Sequence, residues 1–178
     1  AETGRLMFNA PGEVGVGASS LTWVLLLAGA ARVGLPLHLA AKALGWLALL
    51  AAGWGLLRLF GPLLGRLPAL ALALLVTASG HMLWFALSGM ETTLFFAGGV
   101  WALVLYRDRR WAWLGLALGG LALTRPDGLA LAAAVGLVEL WDHRRDLRRL
   151  PRGLFQAAAL CLSVCGPWFA YLLARTGH

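Results

Sequence analysis

The sequence is poor in charge, and poorest in negative charge. Only 13% of the 178 residues are charged, and eight acids stand against fifteen bases, leaving a net charge of +7. Lys42 is the only lysine, and Cys161 and Cys165 are the only cysteines. The sequence contains no Walker loop, HExxH, GxSxG or dinucleotide fingerprint, which excludes P-loop and Rossmann chemistry carried on this chain. The cysteines lie four apart without His, Asp or Glu beside them, so they read as small residues on one helix face rather than zinc ligands. What is abundant is apolar: 60% hydrophobic residues, 23 glycines in addition, and a mean hydropathy of +0.77. Soluble domains average roughly 45–50% apolar and about 25% charged. An ordinary water-soluble enzyme is therefore excluded, and so is disorder, which requires low hydrophobicity.

The expected fold is all-α: a multi-pass membrane helical bundle of about six transmembrane helices with an added interface helix. Residues 19–33 are too short to cross a ~30 Å hydrocarbon core comfortably. They read as a helix lying on the membrane, with Trp23 as its anchor, or as a short tilted span. The expected spans are 37–57, 67–88, 90–106, 111–124, 128–141 and 153–174, with a break at Ser79 and Gly80 in the second. The pair 111–124 and 128–141 makes a tight hairpin around TRPDG.

If each span crosses once, Arg58, Arg66, Arg107, Arg109, Arg110, Arg144, Arg145, Arg148, Arg149 and Arg152 fall on one side. An excess of arginine in short loops marks the cytoplasmic side. This accounts for the positive charge without nucleic acid, because no basic helix here lacks an adjacent apolar span. The other side holds His81, Glu91, Arg125 and Asp127, and with an interface helix at 19–33 it also takes Arg5, Asn9 and Glu13. A polar cluster facing outward from an apolar bundle is a candidate site. Glu139 lies near the inner end of its helix, beside Trp141.

Two segments carry the chemistry. In SGMET (88–92), Ser88 and Glu91 have the spacing of a capping box. Glu91 is equally placed as a carboxylate at the mouth of a membrane cavity, able to act as a base, bond a sugar hydroxyl or ligate a cation. In TRPDG (124–128), Thr124 and Asp127 repeat the cap spacing. Arg125 is unexplained by a cap, since a helix start favours anions, but a helix start and a guanidinium together suit a phosphate. Gly115 and Gly119 form GxxxG, and Gly128, Ala132 and Gly136 repeat at the same interval; both stripes read as helix packing. No cofactor and no metal site is identified.

In this order, FNAPGE (8–13), ASSLTWVLLLA (18–28), ALSGMETTLFF (86–96), LALTRPDGL (121–129) and PWFAYLLARTGH (167–178) resemble the GT-C superfamily of polyprenyl-phosphate-dependent membrane glycosyltransferases. That superfamily includes protein mannosyltransferases, lipid A aminoarabinose transferases and mycobacterial arabinofuranosyltransferases. The resemblance implies an integral-membrane enzyme moving a sugar from a polyprenyl-phosphate donor to a glycan, lipid or protein acceptor on the outer face of the plasma membrane. It also implies that residues 1–35 end a first outer loop, that 36–178 form the bundle, and that the chain is an internal fragment. The acidic pair expected to hold the catalytic base lies upstream of the FNAPGE match, so the base is expected before Ala1, and the chain alone is expected to be inactive. Glu91, Arg125, Asp127 and His81 are then donor-binding candidates. The wealth of Ala, Gly, Leu and Arg points to a GC-rich bacterial gene, and the resemblance implies a multi-pass protein of the bacterial inner membrane. The competing readings are a transporter or flippase subunit, and a non-catalytic membrane assembly protein. Charges at span ends and the lack of an internal repeat disfavour the transporter.

Overall fold

The computed structural model describes residues 20–146 and 149–176. FNAPGE, Glu2, Arg5, Asn9 and Glu13 lie outside the described residues. All regular elements among the described residues are helices: α1 (Leu21–Arg32), α2 (Leu37–Leu64), α3 (Arg66–Thr77), α4 (Gly80–Ser88), α5 (Thr92–Arg107), α6 (Trp111–Thr124), α7 (Gly128–Asp142) and α8 (Arg152–Thr176). Helix α2 and residues Arg152–Ala174 of α8 are long and apolar enough to cross a membrane. Helices α3 and α4 make a third crossing if counted as one span bent by 54°. The bend falls at Ala78 and Ser79, where the latter is extended, beside the expected break at Ser79 and Gly80. Helices α5, α6 and α7 have 16, 14 and 15 residues. At ~1.5 Å per residue each is shorter than a ~30 Å hydrocarbon layer.

Small residues set the packing. A Cβ on Gly115 would collide with the Ala157 carbonyl, and one on Gly119 would meet the Cys161 carbonyl at 2.9 Å. The GxxxG stripe thus brings the α6 and α8 backbones into contact, as its spacing predicts. Cys161 and Cys165 are buried there with Leu114, Leu118, Leu121 and Val135. On the other side of the bundle α5 packs along α2, where Ala48 and Ala52 lie against Ala97. The Trp101 indole donates to the Ala51 carbonyl at 2.9 Å across that seam.

Two expectations need correction. Of the two glycines in the Gly128, Ala132, Gly136 stripe, only Gly128 packs on a neighbouring backbone, that of Leu121 and Ala122; Ala132 packs on the core, and a Cβ on Gly136 would meet nothing within 4 Å. Ala132 and Gly136 also line an open groove between α7 and α8. Trp23 is buried, and the Thr22 hydroxyl donates to the Gly120 carbonyl at 3.2 Å. Trp23 therefore anchors α1 to the protein, not to the lipid headgroups, because its ring is covered by the fold.

The charges sort to two ends. Arg107 donates to the Arg58 and Leu59 carbonyls, Arg109 pairs with Glu139, and Gly153 lies against Trp111. These contacts bring the ends of α5 and α7 and the starts of α6 and α8 beside Arg58 of α2, so the arginine clusters share one basic end. Arg125, Glu91 and the contact of Gly89 with Ala41 lie at the opposite end.

Candidate functional site

At the end opposite the arginine clusters, α6 and α7 form the expected hairpin. Arg125 is extended (φ −152°, ψ 140°), and its N–H closes α6 on the Leu121 carbonyl at 2.8 Å. Gly128 then packs directly on the backbone of Leu121 and Ala122, which makes the turn tight. The Arg125 guanidinium lies 5.8 Å from the centre of the Phe95 ring, and its Nε is 3.7 Å from Oδ2 of Asp127. The two side chains of that ion pair are 41% and 71% exposed, so the pair is loose and water-screened. Among the described residues, most of the guanidinium donors have no partner and can take an anion.

Phe95 connects Arg125 to Glu91. Its N–H bonds the Glu91 carbonyl at 2.9 Å, one turn earlier on α5. Glu91 is half-buried at the N-cap of α5. The structure thus gathers Arg125, Asp127 and the Glu91 turn at one edge. His81 is exposed in the first turn of α4, seven residues before Ser88 and so roughly 10 Å along the helix from it. It sits by the α3–α4 bend, apart from the other three.

Neither capping box forms. The Ser88 hydroxyl donates back to the Phe85 carbonyl, and Thr124 donates back to Gly120 at 2.8 Å. Gly89, in the left-handed region at φ 71°, ends α4 immediately after Ser88 and assigns that serine to the preceding helix. Glu91 and Asp127 occupy the N-cap positions themselves and make no cap bond. The start of α7 also offers less to an anion than its sequence implies. The N–H groups of Gly128, Leu129 and Ala130 already bond the carbonyls of Arg125, Pro126 and Asp127. Arg125 is left as the anion-binding group of the turn.

A second polar constellation occupies the basic end. Glu139, in the last turn of α7, is fully buried. Its Oε1 accepts from the Tyr106 hydroxyl at 2.6 Å and from the Arg109 guanidinium. His143 Nδ1 lies 2.9 Å from the Glu139 carbonyl oxygen and 3.7 Å from Oε2. Arg109 has left-handed backbone (φ 54°), uncommon outside glycine, and its guanidinium is 5.3 Å from both the Tyr106 and Trp111 rings. Sequence reasoning noted Glu139 and missed this cluster; the one signal for it was a lone acid between Val138 and Leu140 in an apolar helix. Nearby, Asp108 is engaged by Arg107 at 2.8 Å and lies 3.7 Å from Arg58. The hydrogen bond from Arg107, with the neighbouring positive charges, holds the Asp108 carboxyl below its ordinary value.

Beside the hairpin, α7 and α8 diverge over an apolar groove of about 440 Å³. Leu129, Ala132, Gly136 and Leu140 form one wall, Leu154, Ala158 and Leu162 the other, and Leu118 lies at the base. It follows α7 from its first turn to its last.

The chain matches no protein family model, no curated protein and no solved structure.

Proposed function

We propose that the chain is the donor-binding and scaffold part of an integral-membrane glycosyltransferase of GT-C type, using a polyprenyl-phosphate-linked sugar at the outer face of a bacterial inner membrane. The observation that carries this reading is a juxtaposition. Arg125, whose guanidinium rests over Phe95 and beside Asp127, lies four residues before Leu129, where the apolar α7–α8 groove begins. A lipid phosphate needs both parts: a cation for its head and an apolar channel, reached from the bilayer, for its tail. The guanidinium fork matches phosphate oxygens, and the groove removes apolar surface from contact with mobile lipid. Glu91 at the neighbouring helix start is suited to the sugar hydroxyls. Asp127 keeps the guanidinium near the turn through a bond weak enough to yield to an anion. His81 stands outside this arrangement. In this reading the basic end is cytoplasmic, six segments cross or dip into the bilayer, and the catalytic base is supplied from outside these residues.

The test is binding, which needs no turnover. The chain in lipid nanodiscs is titrated with polyprenyl phosphate. Arg125→Ala should weaken binding about ten- to a hundredfold, the loss of a charged hydrogen bond worth roughly 1.5–3 kcal/mol. Arg125→Lys should recover only part, because an ammonium cannot make the two-pronged contact. Equal affinity of the native chain and Arg125→Ala overturns the assignment.

A further inference from the structure

We propose that a recess at the basic end, between the α5–α6 turn and α8, binds the phosphate headgroup of an anionic phospholipid. This inference is independent of the sugar-transfer reading and lies at the opposite end of the bundle. The recess has a volume of about 340 Å³ and is lined by Arg109, Arg110, Trp111, Trp113 and Gln156.

The charge accounting singles out Arg110. Four guanidiniums meet here, those of Arg58, Arg107, Arg109 and Arg110, against three carboxylates, those of Asp108, Glu139 and the nearby Asp142. Asp108 is engaged by Arg107 and Arg58, and Glu139 by Arg109. The Arg110 side chain is exposed and makes no hydrogen bond or ion pair among the described residues. An uncompensated guanidinium thus opens on the recess. Arg109 beside it is held in place by Glu139 and by the Tyr106 and Trp111 rings. Glu139 takes only its Nη1, and a guanidinium carries five N–H donors. A group already fixed loses little freedom when it binds.

The other walls specify a lipid instead of a free anion. Gln156 is exposed and is the only amide or charged side chain between Gly153 and Leu162, a stretch of α8 whose other side chains are apolar. Its amide can bond the glycerol hydroxyls or ester carbonyls that accompany a lipid phosphate. Trp113 is 63% exposed, and Leu116, one turn further along α6, is 39% exposed. An indole above an exposed leucine marks the level where headgroup gives way to acyl chain. The recess therefore brings together cations, an amide and indoles, with an exposed leucine one turn beyond, the kinds of group that a phospholipid head and its glycerol call for.

A general basic field also attracts anionic lipids, by ~1 kcal/mol per Lys or Arg near the surface. Arg145 is exposed at the same end and does not line the recess, so it serves as the control. The chain is reconstituted with equal phosphatidylglycerol and phosphatidylcholine, and retained lipid is counted by native mass spectrometry. Phosphatidylglycerol should be retained preferentially. Arg110→Ala should lower that retention about tenfold, as expected for one charged hydrogen bond. Gln156→Leu, at an exposed helical position that folds without strain, should lower it severalfold, while Arg145→Ala changes it less than about twofold. Equal losses for Arg110→Ala and Arg145→Ala, unchanged retention in Gln156→Leu, or equal retention of phosphatidylcholine would each overturn the proposal. Displacement of the lipid by millimolar inorganic phosphate would assign the recess to free phosphate and overturn it as well.

Discussion

Arg107 donates to the backbone carbonyl of Arg58, the acceptor that Pro62 leaves unused within α2. A proline has no N–H, so the carbonyl four residues earlier has no intrahelical donor. Here an arginine from the end of α5 supplies one, and the same side chain reaches the Leu59 carbonyl at 3.1 Å. The kink-prone end of α2 and the α5–α6 turn are thereby joined.

The coupling is measurable. Arg107→Ala should destabilise the chain by about 1 kcal/mol, the size of one net hydrogen bond at a partly exposed site. In a Pro62→Ala background the helix restores its own donor, and the cost of Arg107→Ala should shrink. Unfolding titrations in mixed micelles of the four chains give the interaction energy directly. Equal costs in both backgrounds would show that Arg107 acts through Leu59 and Asp108 and not through the Arg58 carbonyl.

The Glu139 cluster predicts an asymmetry. Its carboxylate is fully buried while the Arg109 side chain is 56% exposed. Removing the arginine leaves a buried charge with too few partners, a situation that costs ~3–5 kcal/mol when the pair is fully buried. Removing the carboxylate charge leaves an arginine that water can reach. Arg109→Ala should therefore be more destabilising than Glu139→Gln. Tyr106→Phe, which removes one bond to a charged acceptor, should cost about 1.5–3 kcal/mol. A melting series in which Glu139→Gln falls lowest reverses this order and overturns the asymmetry.

Glycines of one sequence type should separate sharply by position. Gly115→Ala drives a methyl into the Ala157 carbonyl, and a Cβ on Gly119 would sit 2.7 Å from Cβ of Val164. Overpacking of this kind costs about 1–3 kcal/mol. A methyl on Gly120 or Gly136 would meet nothing within 4 Å, so alanine there should be neutral or stabilising by roughly 0.5–1 kcal/mol. Comparable melting temperatures for Gly115→Ala and Gly120→Ala would contradict the α6–α8 contact.

Much of the fold was legible because it is local. An apolar run between charged breaks places 111–124 as helix, and α6 runs Trp111–Thr124. Ser79 and Gly80 mark a break, and α3 and α4 part beside them. What failed depended on where each helix ends or on which helix passes beside it. Ser88 and Thr124 have cap-like spacing, but the helix before each one extends far enough to claim its hydroxyl. Gly136 matches Gly119 in type and spacing, yet α8 passes close to α6 and diverges from α7. The site was legible in part for the same reason. Arg125 and Asp127 share one turn, whereas Glu139 meets Tyr106 and Arg109 only after α5 and α7 pack, thirty-three and thirty positions away in sequence.

Glu91 offers the sharpest separation of a structural role from a ligand-binding one. It holds the N-cap position of α5 with helical dihedrals (φ −67°, ψ −7°) and makes no cap bond, so its carboxylate contributes little to the helix. Glu91→Gln should then leave stability within about 0.5 kcal/mol, as for substitutions away from packed or capped sites. The turn it begins carries Phe95, against which Arg125 rests. In the proposed function a carboxylate there meets the sugar of the lipid-phosphate donor, while Arg125 takes the phosphate. The two ligand parts can be titrated separately. Glu91→Gln should weaken binding of the sugar-bearing polyprenyl phosphate about tenfold, one charged hydrogen bond, and leave bare polyprenyl phosphate nearly unaffected. Arg125→Ala should weaken both. Identical affinities of native and Glu91→Gln chains for the sugar-bearing ligand, at unchanged stability, would remove Glu91 from the site and leave the phosphate contact of Arg125 standing alone.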